Sequence, residues 1–380
     1  MGPVKLHAGG HLGRGVAIGH LDTGVDAAHP ALQGRIAGFL YVNEEGLPEP
    51  ERPCIDSGSH GTHTAGIISS VAPEARLYCA AVIEDGKVPV RLLAGLEWMM
   101  DKPIRILQLS LGIHAHTPLL VEALETLREK GVLTIAAIGN KGSNRYQSPG
   151  CYERVLSVGA CHADGSVARF SGSRYEPGSE RCLKPDVLAP GVDILSAAPG
   201  GRWVRDSGTS MACAWVAGVA AALWEAKPDA TVDEVEAAIV RSASPLPEAW
   251  RHRCRAGIVD PDAALELLLG GAPPAGEQAR PPLPSPEPRF VDPRLVRKLG
   301  FYDAGEVLEA IIVLGRGERK GCTLEEVITR CASATGSSPS KLRLLHQGTL
   351  GVIQGEARLL SALIEHPAIT IAQSTELDLL

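Results

Sequence analysis

Apolar positions along the first 270 residues follow two alternating rhythms. Residues 16–21 and 132–138 are short, almost unbroken apolar runs without a polar face, and they predict strands buried on both sides. Between such runs the spacing changes to that of a helix. In 119–130, Leu120, Val121, Leu124 and Leu127 fall on one face, and Gly131 stops the pattern directly before the next strand. Thr231-Val232-Asp233-Glu234 is a capping box that opens a helix predicted to run to Ala243. A final helix is predicted near 260–269, ended by Gly270-Gly271. The longest apolar run, 212–224, has thirteen residues and no polar side chain. It predicts one buried helix and is too short to span a bilayer. Strands alternating with helices predict an α/β domain, a parallel sheet with helices on both faces.

The rhythm then breaks. Residues 272–288 hold seven prolines in seventeen positions, which neither a helix nor an interior strand tolerates. At about 3.1 Å per residue an extended linker of this length reaches on the order of 50 Å. Beyond it, 307–314 reads as a strand, and Thr323 caps a helix whose Leu324, Val327, Ile328 and Cys331 share a face. Residues 341–345 and 350–354 read as two strands about a turn at Gln347-Gly348. Leu359, Leu360, Leu363 and Ile364 mark a helix ended by Pro367, and 369–373 a last strand. The order β-α-β-β-α-β is the ferredoxin-like pattern of a small α+β domain. The expected division is therefore 1–271, a proline-rich linker at 272–289, and 290–380.

Composition narrows the function. A chain of 380 residues, 44% hydrophobic, buries more core than one domain usually holds. Its net charge of −7, without a basic block, predicts neither nucleic-acid nor anionic-membrane binding. The first twenty residues have no apolar stretch of signal-peptide length, so the expectation is a cytoplasmic chain. Nine cysteines, an odd number with no CxxC, predict free thiols in a reducing compartment. Cys213 is read as packing.

The chemistry is concentrated in four short segments. Ser210, in Gly208-Thr209-Ser210-Met211-Ala212, stands just before the apolar helix, where unpaired backbone N–H groups and the helix dipole favour developing negative charge. A serine hydroxyl needs a base to take its proton as it attacks. Ser59-His60-Gly61-Thr62-His63 offers an imidazole among small residues. The strand at 16–21 ends at Asp22-Thr23-Gly24, a carboxylate where open α/β sheets build their sites. The strand at 132–138 ends at Gly139-Asn140, whose side-chain NH₂ is suited to an oxyanion, with the Ser210 N–H as second donor. His63 is read as a hydrogen-bonded buried histidine rather than half of a metal pair, and Asp26 and His29 as turn and packing residues. The nucleophile elbow of α/β-hydrolases needs glycine two residues after the serine, where this chain has Ala212, and it places the acid and histidine after the serine.

In order and spacing the four segments resemble the subtilisin family of serine proteases, over roughly residues 10 to 270. The resemblance implies a subtilisin-like fold, a peptide or protein substrate, and Asp22, His60, Ser210 and Asn140 as catalytic residues. It implies that Ser110, Leu111 and Gly112 pair with an extended substrate. It also makes Ala136, Ala137, Ile138 and Gly139 a wall of the primary specificity pocket, with Gln147 near its base. Two residues depart from the family: Ala214 and Trp215 stand where proline and histidine are usual. Alanine predicts a more regular first turn after the nucleophile. A shifted Ser210 permits transfer of the acyl group to an amine, as in a peptide ligase or macrocyclase. Calcium is common in the family, but no loop here carries a motif that assigns it, and no cofactor is expected.

The C-terminal pattern resembles the propeptide domain that subtilisins carry at the other end, as chaperone and inhibitor; the alternative is a generic α+β interaction domain. The family geometry implies that its sheet lies on the two helices preceding the substrate strands. The tail Thr375, Glu376, Leu377, Asp378, Leu379 and Leu380 then runs into the cleft as a product-like partner, in cis or in trans. A protease-shaped protein permanently blocked in this way is the non-enzymatic alternative.

Overall fold

The computed structural model describes residues 4–83, 88–113, 117–179, 181–270, 290–301, 303–315, 322–345 and 348–374. The expected linker at 272–289, the turn residue Gln347 and the tail 375–380 lie outside the described residues.

Among these, a nine-stranded sheet carries the larger domain. Its order is Gly257–Ile258, Val187–Pro190, Leu156–Cys161, Leu133–Ala137, Ile106–Leu109, Ala17–Asp22, Arg76–Ala81, Ile36–Val42 and Pro48–Glu49. Every pairing is parallel except the last, the two-residue edge strand. The central strands are apolar without alternation because both faces are covered: Leu133–Ala137 and Leu156–Cys161 are buried at every position.

One face packs on the helices His60–Val71 and Thr209–Ala226. The second helix is the apolar run of the sequence. It is the helix among the described residues long and apolar enough to cross a membrane, and 89% of that stretch is buried inside the fold. It continues without interruption through Ala214 and Trp215. The opposite face packs on the helices Val88–Met99 and Val121–Glu129. The predicted capping box at Thr231 is present and opens Val232–Arg241, which stops two residues short of the expected Ala243. Asp260 caps Pro261–Leu268.

The strand order reverses at Ala17–Asp22, which has Arg76–Ala81 on one side and Ile106–Leu109 on the other. A crevice opens at the carboxyl ends of strands where an α/β sheet switches direction. Asp22 ends the switch strand, Ser110 follows the next strand, and Gly139-Asn140 follows the one after it within three residues.

Residues 290–374 form a second, five-stranded sheet in the order Phe290–Val291, Ile369–Ser374, Val307–Leu314, Leu350–Glu356 and Lys341–Leu345. Its last four strands are antiparallel neighbours with the helices Leu324–Thr335 and Ala357–Glu365 on one face, the expected split β-α-β arrangement. Two elements were not expected, the strand Phe290–Val291 and the helix Pro293–Phe301. The other face of this sheet is not solvated. Ile311, Val313, Leu345, Leu350, Val352 and Ile371 share one apolar cluster with Leu93, Leu96, Leu119 and Leu124 of the larger domain. The seam leaves a void of only about 20 Å³. At its end near the crevice Thr117 Oγ1 donates to Gln373 Oε1 at 2.5 Å, with both residues buried.

Candidate active site

His60 is the first residue of its helix, and its position depends on two glycines. A Cβ on Gly24 would lie 2.0 Å from the Ile55 carbonyl oxygen, and one on Gly61 would lie 2.1 Å from that of Gly24. Gly24 also has φ of +124°, which side chains disfavour. The loop after Asp22 and the start of the His60 helix therefore touch backbone to backbone, and this closeness brings the two side chains together. His60 Nδ1 and Asp22 Oδ1 are 2.7 Å apart. Ser59, at the helix N-cap, has φ of 59°, a left-handed conformation uncommon for serine.

Asp22 is fully buried and held from several sides. The Thr23 N–H donates to Oδ1 at 2.7 Å, and Thr64 Oγ1 donates to Oδ2 at 3.2 Å. Thr64 also meets His20 Nε2 at 2.8 Å. Burial drives the Asp22 carboxyl towards protonation, but the His60 charge and hydrogen bond, with smaller help from His20 and Thr23, prevail and hold its pKa below the ordinary range. For His60 burial is again the largest single influence and opposes charging. The Asp22 charge and hydrogen bond, then Asp206 and Asp56, outweigh it and raise the pKa to about 8.

Ser210 is the second residue of its helix, only 8% exposed. Its Oγ donates to the Ser110 carbonyl at 3.2 Å, and Ser110 Oγ donates in return to the Ser210 carbonyl at 2.7 Å. Ser210 makes no hydrogen bond to His60, although both line one cleft of about 260 Å³. Catalytic hydrogen bonds commonly tighten only with substrate bound.

Asn140 faces the same space. Its Oδ1 accepts from both the N–H and Oγ1 of Thr209, each at 2.9 Å. Because a backbone N–H can only donate, this fixes the amide orientation and leaves Nδ2 as the free donor. A Cβ on Gly208 would stand 3.4 Å from that Nδ2.

Ser110, Leu111 and Gly112 line the cleft on one side, and Ala137 and Gly139 on the other, with Gln147 between. Ala136 and Ile138 alternate with them, and their side chains belong to the core. His63 is a buried histidine whose Nε2 meets the carbonyls of Ile194 and Val204, as expected. Asp26 caps its turn, and His29 packs on Trp203 and meets the Arg202 carbonyl. Cys213 is fully buried in the core, where burial raises its pKa to about 12.

Four supporting residues were not singled out from the sequence. Asp56 accepts from Thr23 Oγ1 and from the N–H and Oγ1 of Thr62, tying the Asp22 loop to the His60 helix. Thr64 lies one turn after His60, a spacing that placed it within reach; Asp56 stands in a loop and gives no local signal. Thr209 lies within the Ser210 motif, and Asp206 stands two residues before it. Among the described residues no group of three or more His, Cys, Asp and Glu side chains converges as a metal site would require.

A model of the Subtilase family matches residues 13–262. The chain is 35% identical over 294 residues to the subtilisin-like protease PopC of Myxococcus xanthus, covering 68% of this chain and 61% of that protein. It is 35% identical over 256 residues to an intracellular serine protease of Paenibacillus polymyxa, covering 62% and 76%. Among solved structures it is similar to the prenylagaramide maturation protease PagA, at 28% identity and a TM-score of 0.59, over 71% of this chain and 99% of that one.

Proposed function

Since the chain belongs to the subtilase family of serine peptidases, we propose that it cleaves peptide bonds through an acyl-enzyme on Ser210. The observation that carries this reading is the 2.7 Å pair of His60 and buried Asp22, facing the same cleft as Ser210 and the free Asn140 donor. His60, neutral, takes the Ser210 proton through Nε2 as Oγ attacks the substrate carbonyl, and Asp22 fixes the tautomer and stabilises the imidazolium. Asn140 Nδ2 and the Ser210 N–H receive the tetrahedral oxyanion. His60 returns its proton to the leaving amine, and water then attacks the acyl-enzyme by the reverse route. None of these steps draws on a metal or cofactor. Product mapping on a peptide library with the full chain tests the reading; a library left intact would overturn it and favour a blocked interaction protein.

The C-terminal domain regulates this site as a propeptide-like inhibitor. Its apolar seam against the helices Val88–Met99 and Val121–Glu129, and the Thr117–Gln373 bond at the crevice end of that seam, support the assignment. The tail 375–380 lies outside the described residues, and its pairing with Ser110 to Gly112 is part of this proposal. The nine free cysteines support a reducing, cytoplasmic setting.

A second reading, acyl transfer to a peptide amine in precursor maturation, is favoured by the likeness to PagA and by Ala214 and Trp215 in the nucleophile helix. Mass spectrometry of products with and without an added amine nucleophile separates the two.

A further inference from the structure

Behind Asp22 lies a second buried histidine that the proposed mechanism does not use. Along the strand Ala17–Asp22, Ile18, His20 and Asp22 alternate with the pleat and share the face beneath the helix His60–Val71. Around them on that face Ile18, Leu77, Cys79 and Ile106 form apolar core, so a fully buried imidazole there needs its polar atoms accounted for. His20 Nε2 lies 2.8 Å from Thr64 Oγ1 and 3.9 Å from Asp22 Oδ2, while Nδ1 has no partner among the described residues.

These contacts assign the tautomer. Thr64 has one hydroxyl proton to give, and 3.2 Å from its oxygen stands Asp22 Oδ2, which as a carboxylate only accepts. The His60 and Gly61 carbonyls of the same helix compete for that proton at the same distance. With its own proton on Nε2, His20 donates to Thr64 Oγ1 and leaves the hydroxyl proton free for an acceptor. A bare Nε2 would instead draw that proton away from Asp22 and bury an unpaired N–H at Nδ1. A hydroxyl that accepts one hydrogen bond donates a stronger one, and a charged carboxylate gains more from it than a neutral carbonyl does. Burial holds the His20 pKa below its ordinary range against the pull of Asp22, so the imidazole is a neutral donor.

We propose that His20 is a positioning residue for the Asp22–His60 pair: its Nε2–H orders the Thr64 hydroxyl, which holds Asp22 Oδ2 and leaves Oδ1 aimed at His60 Nδ1. No proton changes place along this row of bonds; it fixes the carboxylate and spreads its charge. The inference rests on the peptidase reading, in which Asp22 orients the base.

Other ionisable groups bear on the pair. Asp56 and Asp206 help to raise the His60 pKa, and His63 is kept towards its neutral form by burial. The Cys79 and Cys213 thiols near Asp22 stay protonated because burial raises their pKa. All of these remain in place in the variants below.

The test compares the full wild-type chain with His20→Leu, His20→Gln and Thr64→Val in steady-state kinetics across pH. Removing the donor in His20→Leu, or the hydroxyl in Thr64→Val, should lower kcat about tenfold with KM little changed, as loss of one hydrogen bond to a charged group allows. Less of the Asp22 charge is then drawn off, so Asp22 favours the imidazolium more, and the rising limb of kcat/KM should move above its wild-type position near 8 in both variants. His20→Gln keeps an N–H donor without a titrating group and should restore both quantities towards wild type. The double variant should be no worse than either single one, because the two side chains act as one unit. An unmoved limb in both His20→Leu and Thr64→Val, or a His20→Gln no better than His20→Leu, overturns this inference alone. Should His20→Leu fail to fold, Thr64→Val, which keeps the shape, and His20→Gln decide the matter by the same limb. A wild-type chain that cleaves no peptide overturns the peptidase reading instead, and the His60 titration followed by NMR in the same variants still tests the hydrogen-bonded row.

Discussion

At the scale of single residues the site is an electrostatic balance around one imidazole. In the proposed mechanism His60 must be neutral to accept a proton, and its pKa is raised to about 8, so kcat/KM should rise with pH and level off above that value. Asp206 is an exposed contributor to that elevation. Asp206→Asn should therefore move the rising limb to lower pH, and added salt should shrink the difference between the two proteins. A pH–rate profile checks both; an unmoved limb would remove Asp206 from the account. Asn140→Ala should lower kcat about a hundred- to a thousand-fold, the loss that removing one oxyanion donor causes in subtilisin, with KM little changed. Steady-state kinetics distinguish this from a binding defect, in which KM would carry the loss.

At the scale of elements, function depends on how closely chain ends approach. A methyl group on Gly61 would meet the Gly24 carbonyl oxygen at 2.1 Å, and backbone cannot swing aside as a side chain can. Gly61→Ala should cost about 1–3 kcal/mol of stability in denaturant unfolding and lower activity at least tenfold, because the strain falls on the Asp22–His60 pair. A stable, fully active variant would show that the approach is looser than described. Much of this level was legible in the sequence, since Asp22, Asn140 and Ser210 stand beside apolar runs whose ends can be read directly. The capping boxes at Thr231 and Thr323 appear as expected. The helix Pro293–Phe301 was not foreseen, although Pro293 at its start and Leu295 and Leu299 four apart were a signal masked by the preceding prolines. Asp56 and Thr209 were not legible in their roles. Their meaning comes from contacts with residues distant in sequence, which no local pattern encodes.

At the scale of the molecule, two sheets share one seam. The apolar face that the C-terminal domain presents to the larger domain would be a large exposed patch if the two parted, so the docked arrangement is the stable one. If its tail inhibits the site, a chain ending at Gln373 should hydrolyse peptides faster than the full chain, while the synthetic peptide 375–380 added back should slow it again. Equal rates would discard the inhibitory role and leave the domain as a structural cover. Deeper still is the claim that folding brings Asp22, His60, Ser210 and Asn140 to one cleft as a working nucleophilic site. A fluorophosphonate probe followed by peptide mass mapping tests it most directly. A single adduct on Ser210, lost in His60→Ala and in Ser210→Ala, is expected; an unlabelled wild-type Ser210, or labelling that persists without His60, would show that these side chains do not form a nucleophilic site.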